Sequence, residues 1–167
     1  MKIGLCGASG RIGLPLFKFL KAKGNKVVGT YCNNKIPDLV RFDLREDPLD
    51  FFDKCDVVIL AAAYTNTPFC EQNKIEAFWM NVYRTIALLT HLSDKKIPTM
   101  FISSVAAVEN LDTVYGDYKR RVEKCIKKEQ LKIEYIRPGY TNKDNVQALC
   151  KEIYADIKSW RRKKTKK

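Results

Sequence analysis

The sequence predicts an α/β fold in which a parallel sheet is covered by helices on both faces. Short apolar runs alternate with amphipathic stretches from one end to the other, the pattern of strands joined by crossover helices. One run, Asp56–Ala62, is apolar without alternation, as a strand buried on both faces must be. At 167 residues and 46% apolar content, the chain suits one domain around one sizeable core.

The elements follow in order. Lys2–Cys6 reads as the first strand, and Ile12–Lys23 as the first helix, with Gly24 as its C′ residue. Val27–Tyr31 is the second strand, Leu39–Phe42 a short third and Asp56–Ala62 the fourth. A long helix is expected over Cys70–Leu92. Its apolar residues, among them Phe78, Trp79, Met80, Val82, Tyr83, Leu88 and Leu92, cover most of the circumference, more than one sheet face requires. Thr99–Ser103 is the fifth strand, Val114–Glu129 a helix, and Ile133–Arg137 the sixth strand, stopped by Pro138-Gly139. The last helix, Asn145–Trp160, shows Val146, Leu149, Ile153, Ile157 and Trp160 at helical spacing. With no repeat and no linker, residues 1–160 form one domain.

The net charge of +12 is partly terminal: Arg161–Lys167 holds six of the 31 basic residues and no acid. Such a run reads as a disordered, solvated tail, so a nucleic-acid partner is not expected and the role of the tail stays open. No stretch approaches the roughly 20 apolar residues that span a bilayer. The start, Met1 to Cys6, runs straight into a glycine motif without a signal peptide, which makes a cytoplasmic location the expectation. Six cysteines without a CxxC pair or clustered histidine read as buried thiols, with no metal site. His91, the only histidine, is assigned no role.

The motif with chemical content is Gly7-Ala8-Ser9-Gly10-Arg11-Ile12-Gly13, which follows a strand and opens a helix. Gly7 permits a tight turn, Gly10 a close approach of backbone to a pyrophosphate, and Gly13 close packing of helix on strand. Ser9, Arg11 and Ile12 complete a cradle at a helix N-terminus, where phosphates are favoured. These features predict a Rossmann sheet of order 3-2-1-4-5-6 holding a nicotinamide dinucleotide. After the second strand comes Tyr31-Cys32-Asn33-Asn34-Lys35, with no acid before Asp38 to take the ribose hydroxyls. Lys35 and Arg11 are the cations that could face a 2′-phosphate, so NADP is the expected cofactor and NAD the alternative.

The GxxGxxG spacing resembles the short-chain dehydrogenase/reductase superfamily, and further residues extend the likeness over about Met1–Tyr140. Tyr115-Gly116-Asp117-Tyr118-Lys119 matches the YxxxK motif, whose spacing of four puts Tyr115 and Lys119 on one helix face. The resemblance implies that Tyr115 exchanges a proton with substrate while Lys119 lowers its pKa and holds the cofactor ribose. Ser103-Ser104 ends the fifth strand where the family keeps a catalytic hydroxyl; Ser104 is preferred, with the register open between the two. Asn81 matches the structural Asn of extended members and would support Lys119 through its helix backbone. Asp43-Leu44 matches their adenine-contacting pair, and Pro138, in Arg137-Pro138-Gly139, the RPG at the nicotinamide end. Ala61-Ala62-Ala63-Tyr64-Thr65 and Gly29-Thr30-Tyr31 are similar to the dTDP-4-dehydrorhamnose reductase branch, putting Tyr31 and Ala61–Ala63 along the cofactor.

Two departures stand out. Ser104 and Tyr115 are closer in sequence than in the extended family, and one helix and a basic tail stand where those members continue into a substrate lobe. The implied function is an NAD(P)-dependent oxidoreductase or epimerase-like protein acting on a carbonyl or hydroxyl of a sugar nucleotide or similar small molecule. The rival is a non-catalytic dinucleotide-binding module, regulatory or completed by a partner. A homodimer is expected, because the family pairs the Cys70–Leu92 helix and the next one into a four-helix bundle.

Overall fold

The computed structural model describes residues 1–109 and 112–164. Its six strands form one all-parallel sheet in the order β3-β2-β1-β4-β5-β6, the order expected. They are β1 (Lys2–Cys6), β2 (Lys26–Tyr31), β3 (Val40–Arg41), β4 (Val57–Leu60), β5 (Thr99–Ile102) and β6 (Ile133–Ile136). The helices are α1 (Gly13–Ala22), α2 (Thr67–Gln72), α3 (Lys74–Phe78), α4 (Thr85–Asp94), α5 (Ala106–Glu109), α6 (Val114–Lys128) and α7 (Val146–Lys164).

Alternation within the buried strands divides the core between two faces. Val57 and Ile59 of β4 join Ile3, Leu5, Met100 and Ile102 beneath α1 and α7, which contribute Leu16, Leu20, Cys150, Ile153 and Ile157. Val58 and Leu60 face the other way with Phe101, against Leu88, Leu89 and Leu92 of α4 and Val122 and Ile126 of α6. Both layers thus seal the sheet. No helix among the described residues is long and apolar enough to cross a membrane.

The expected single helix over Cys70–Leu92 is instead four pieces. Asn66 caps α2 by accepting from Phe69 N at 2.9 Å. Asn73, at φ −121° and ψ 52°, breaks the chain before α3, and a π-helical turn over Trp79–Arg84 precedes α4. Such a turn carries one residue more than the α-helical count and rotates the next helix relative to the one before it. This explains the all-round apolar pattern: α4 is buried through Leu88, Leu89 and Leu92, whereas Trp79 and Tyr83 are 45% and 53% exposed.

Smaller differences have local causes. The third strand keeps only Val40–Arg41 at the sheet edge, and a 3₁₀ turn over Leu49–Phe52 comes after it. α7 continues four residues past Trp160 into what was expected to be a disordered tail. Arg and Lys are strong helix formers, and a helix C-terminus favours cations. Residues 165–167 lie outside the described residues. α1, α4 and α6 each end in a left-handed residue that returns the chain to the sheet: Gly24 (φ 75°), Lys96 (φ 57°) and Gln130 (φ 51°). At these ends Asn25, Ile97 and Leu131 donate their backbone N–H to the carbonyls of Leu20, Leu92 and Ile126.

Candidate functional site

The glycine loop leaves β1 and turns into α1 at the carboxyl end of the sheet, where ligands bind in open α/β folds. Gly7 has φ +85°, and its N–H donates to Thr30 Oγ1 at 3.1 Å. A Cβ there would lie 2.6 Å from Ala62 N. At Gly13 a Cβ would come 2.0 Å from Gly7 O. At Gly10 it would meet only Gly7 O, at 3.3 Å. The fold therefore requires Gly7 and Gly13, whereas a Cβ at Gly10 would meet a single neighbour that a small shift could accommodate. The N-terminus of α1, at Ile12, has no side-chain cap.

A cleft of about 220 Å³ runs from this loop along the ends of β2, β3 and β4. Of the expected contacts it is lined by Gly7, Ser9, Gly10, Tyr31, Asp43, Leu44 and Ala61–Ala63. Lys35 and Arg11 are exposed and do not line it; the Arg11 guanidinium sits 5.7 Å from the Tyr140 ring centroid. Ile12, partly buried, and Gly13 support the loop from behind. The cation that does line the cleft is Arg45.

Arg45 changes what Asp43 can do. Its Nε donates to Asp43 Oδ1 at 2.9 Å, its Nη2 to Oδ2 at 2.7 Å, and its backbone N–H to Oδ1 at 3.0 Å. Asp43, 2% exposed, is held by these bonds well below the usual carboxylate range. Arg45 Nη1 reaches the Tyr64 hydroxyl at 2.8 Å, and that hydroxyl donates to Glu76 Oε1 at 2.6 Å. Burial pushes the Tyr64 phenol up to about 12. The carboxylate expected to contact adenine is thus already engaged, and Arg45 is the group beside it in the cleft wall.

The proposed catalytic residues cluster beyond the end of β5. Ser104 lies near enough to Tyr115 to oppose the rise that burial gives its phenol, and Lys119 Nζ lies 5.8 Å from the Tyr115 ring centroid. Ser103 is committed elsewhere: its hydroxyl donates to Glu123 Oε1 at 2.6 Å, and Arg137 clamps the same carboxylate at 2.9 and 2.6 Å. Ser104 is the serine at the tyrosine. Pro138 contributes a carbonyl that accepts from Val105 N at 3.2 Å; it does not line the cleft. Asn81 binds both sides of the Tyr64 backbone, accepting from its N–H and donating to its carbonyl, each at 2.8 Å. Its side chain fixes the Ala61–Tyr64 wall rather than Lys119.

The expectation that an ammonium depresses the Tyr115 phenol is not met. Burial raises Tyr115, opposed by Ser104. Lys119, 3% exposed, donates to Ile102 O at 2.9 Å, and burial drives its ammonium down to about 7 against the pull of Glu123. A desolvated amine whose hydrogen bond goes to a backbone carbonyl is poorly placed to stabilise a phenolate. Sequence reasoning missed Arg45, Tyr64 and Glu76 as cleft partners, and Glu123. Glu123 was findable as an acid four residues after Lys119 on the same face.

The lowered Lys119 predicts a pH effect. In the unfolded chain a lysine titrates near 10.4, so above about pH 7 the native state binds fewer protons and stability rises with pH. Over about pH 7–8, below the ordinary thiol range, denaturant melts should show a gain of about 1 kcal/mol. Lys119→Met should flatten this slope; an unchanged slope would assign it to another group.

Similarity to known proteins agrees with this geometry. The family model described as polysaccharide biosynthesis protein matches residues 43–141. A hypothetical dTDP-4-dehydrorhamnose reductase from Sulfolobus tokodaii superposes with a TM-score of 0.74 at 24% identity, covering 86% of this chain and 58% of that one. UDP-glucose 4-epimerase from Thermus thermophilus, in complex with NAD, gives 0.70 at 17%, covering 82% and 54%. dTDP-4-dehydrorhamnose reductase from Bacillus anthracis, in complex with NADP, gives 0.66 at 15%, covering 84% and 56%. At these identities the likeness is one of fold, and the chain spans little more than half the length of these structures. No curated protein matches the sequence.

Proposed function

Because this chain belongs to the polysaccharide biosynthesis protein family, within the extended short-chain dehydrogenase/reductase superfamily, we propose that it is an NAD(P)-dependent oxidoreductase or epimerase-like protein. Its substrate class is a carbonyl or hydroxyl of a sugar nucleotide or similar small molecule. The observation that carries the proposal is Lys119 Nζ standing 5.8 Å from the Tyr115 ring centroid, with Ser104 near enough to bear on that phenol, at the sheet end that also holds the glycine loop.

The cleft fits a dinucleotide. Gly7, Ser9 and Gly10 would hold the pyrophosphate at the uncapped α1 terminus, and Tyr31, Leu44 and Ala61–Ala63 the nucleoside beyond it. When bound, the nicotinamide supplies or accepts hydride. Tyr115, raised by burial, stays protonated at neutral pH, the state needed to give a proton to a carbonyl oxygen. Ser104 would share a hydrogen bond with that oxygen. These features support the reducing direction. Reduction of a 4-keto sugar nucleotide, followed by loss of reduced-nicotinamide absorbance, tests the reading.

A second reading, a non-catalytic dinucleotide module, draws on one observation. Lys119 donates to Ile102 O, and neither it nor Tyr115 lines the cleft. Tight cofactor binding with no turnover of any carbonyl would select it.

Three finer statements belong to the same proposal. NADP is the preferred cofactor, since the β2 end presents Tyr31, Cys32, Asn33 and Asn34 without a carboxylate, and Arg45 Nη2 stands 3.8 Å from Cys32 Sγ. Calorimetry should give tighter binding of NADP; equal or tighter NAD binding rejects the preference. The protein is a homodimer through the α3 and π-helical face, where Ile75 is 89% exposed and Trp79 stacks on Tyr83 at 4.6 Å. Sedimentation should show twice the 19.3 kDa chain mass, reverting to one on Ile75→Glu with Tyr83→Glu. The location is cytoplasmic, in keeping with six free thiols.

A further inference from the structure

At the opposite end of the sheet from the glycine loop, two cavities flank Trp160. One of about 470 Å³ lies toward Cys55 and Ile157, the other of about 280 Å³ toward Lys132 and Thr99. Lys96, Ile97, Pro98 and Trp160 line both. The larger exceeds the dinucleotide cleft in volume. The floor is apolar: Ile97, Ile157 and Val57 are 8%, 1% and 2% exposed, and Trp160 is partly buried.

The rim is cationic. Lys95, Lys96 and Lys132 are exposed on it. Lys95 pairs with Asp53 at 3.7 Å, but among the described residues neither Lys96 nor Lys132 has an ion-pair partner. Of the two acids on the rim, Asp56 is occupied by Lys2 N–H at 2.7 Å, which leaves Glu134. Directly after Trp160 the sequence continues Arg161-Arg162-Lys163-Lys164. Lys96 also stands at φ +57°, a left-handed position where glycine is the favoured residue.

We propose that this groove binds an acidic peptide segment of a partner protein, with its apolar side chains in the two cavities and its carboxylates on Lys96 and Lys132. Charge complementarity selects an anion. Three features narrow the choice to a peptide. A single-stranded nucleic acid stacks successive bases on aromatic side chains, and Trp160 is the one aromatic residue lining the groove. A membrane surface takes a protruding apolar face, whereas Trp160 lies between concavities. Apolar floors within a lysine rim match alternating apolar and acidic side chains. The site is remote from the dinucleotide cleft and does not depend on turnover.

The test uses the full chain with Trp79→Phe, so that Trp160 is the remaining tryptophan and its fluorescence reports the groove. The probes are a synthetic peptide of alternating glutamate and leucine, oligouridylate, and phosphatidylserine vesicles. Saturable binding of the peptide is expected, weakened by salt and reduced roughly tenfold by Lys96→Glu with Lys132→Glu. Lys96→Gly, which relaxes the left-handed backbone and so retains the fold, should weaken the peptide several-fold with dinucleotide affinity unchanged. Peptide binding indifferent to all three substitutions overturns the proposal, as does an absence of peptide binding. Preference for oligouridylate or vesicles over the peptide would replace it with a nucleic-acid or membrane surface.

Discussion

Tyr115→Phe should reduce turnover by about a thousandfold, within the range for loss of a general acid, while dinucleotide affinity stays within about twofold. The substitution removes one hydroxyl, keeps the ring in its cluster with Cys70, Ala77, Val82 and Tyr118, and falls on a residue that does not line the dinucleotide cleft. Single-turnover kinetics with bound reduced cofactor measures it. Ser104→Ala should lower activity in the same direction, because Ser104 is the hydroxyl that counters the burial of the Tyr115 phenol. Ser103→Ala should act through stability, by loosening the pair that buried Glu123 makes with Arg137 at the surface. Wild-type rates in Tyr115→Phe would remove it as the proton donor.

The second large effect separates the three glycines. Gly13→Ala should cost about 3 kcal/mol or more of stability, since its Cβ would fall 2.0 Å from Gly7 O and 2.8 Å from Ala8 Cα, both backbone atoms. Gly7→Ala meets Ala62 backbone and a left-handed φ together, and should be comparably damaging. Gly10→Ala should stay within about 1 kcal/mol of the native stability yet bind dinucleotide at least tenfold more weakly. Thermal melts with and without cofactor distinguish the cases. If Gly10→Ala unfolded the protein, or left affinity intact, the backbone at Gly10 would not be the phosphate site.

Much of this was legible in the sequence, for identifiable reasons. The glycine spacing and the unalternated Asp56–Ala62 run encode local backbone need and two-sided burial, and both recur in the structure. The clustering of Ser104, Tyr115 and Lys119 arises from two local facts, a strand end and an i,i+4 helix face. What sequence left hidden depends on chain segments meeting in space. Arg45 pairs with Asp43, two residues away, while Tyr64 from the loop after β4 and Glu76 from α3 hold the far side of its guanidinium. The position of Lys119 is settled by a carbonyl, Ile102 O, that no residue identity announces. Burial then overrides the charge effect expected of it. The π-helical turn keeps the composition of an ordinary helix and is expressed only in its packing.

The order of the strands also sets when the phosphate cradle can come into being. β1, at the centre, meets β2 through the short-range pairing Lys2↔Lys26, but meets β4 through Ile3↔Val57. The first pairing closes a modest loop and the second a longer one, a difference of about 0.6 kcal/mol per doubling of loop length. The wall that forces the Gly7 turn is Ala62, two residues beyond β4. A chain with β1, α1 and β2 assembled would hold all three glycines of the loop and still lack the surface that shapes it. Competence to hold a dinucleotide therefore requires both neighbours of β1, and ligand stabilises only species in which both flanks of β1 have closed.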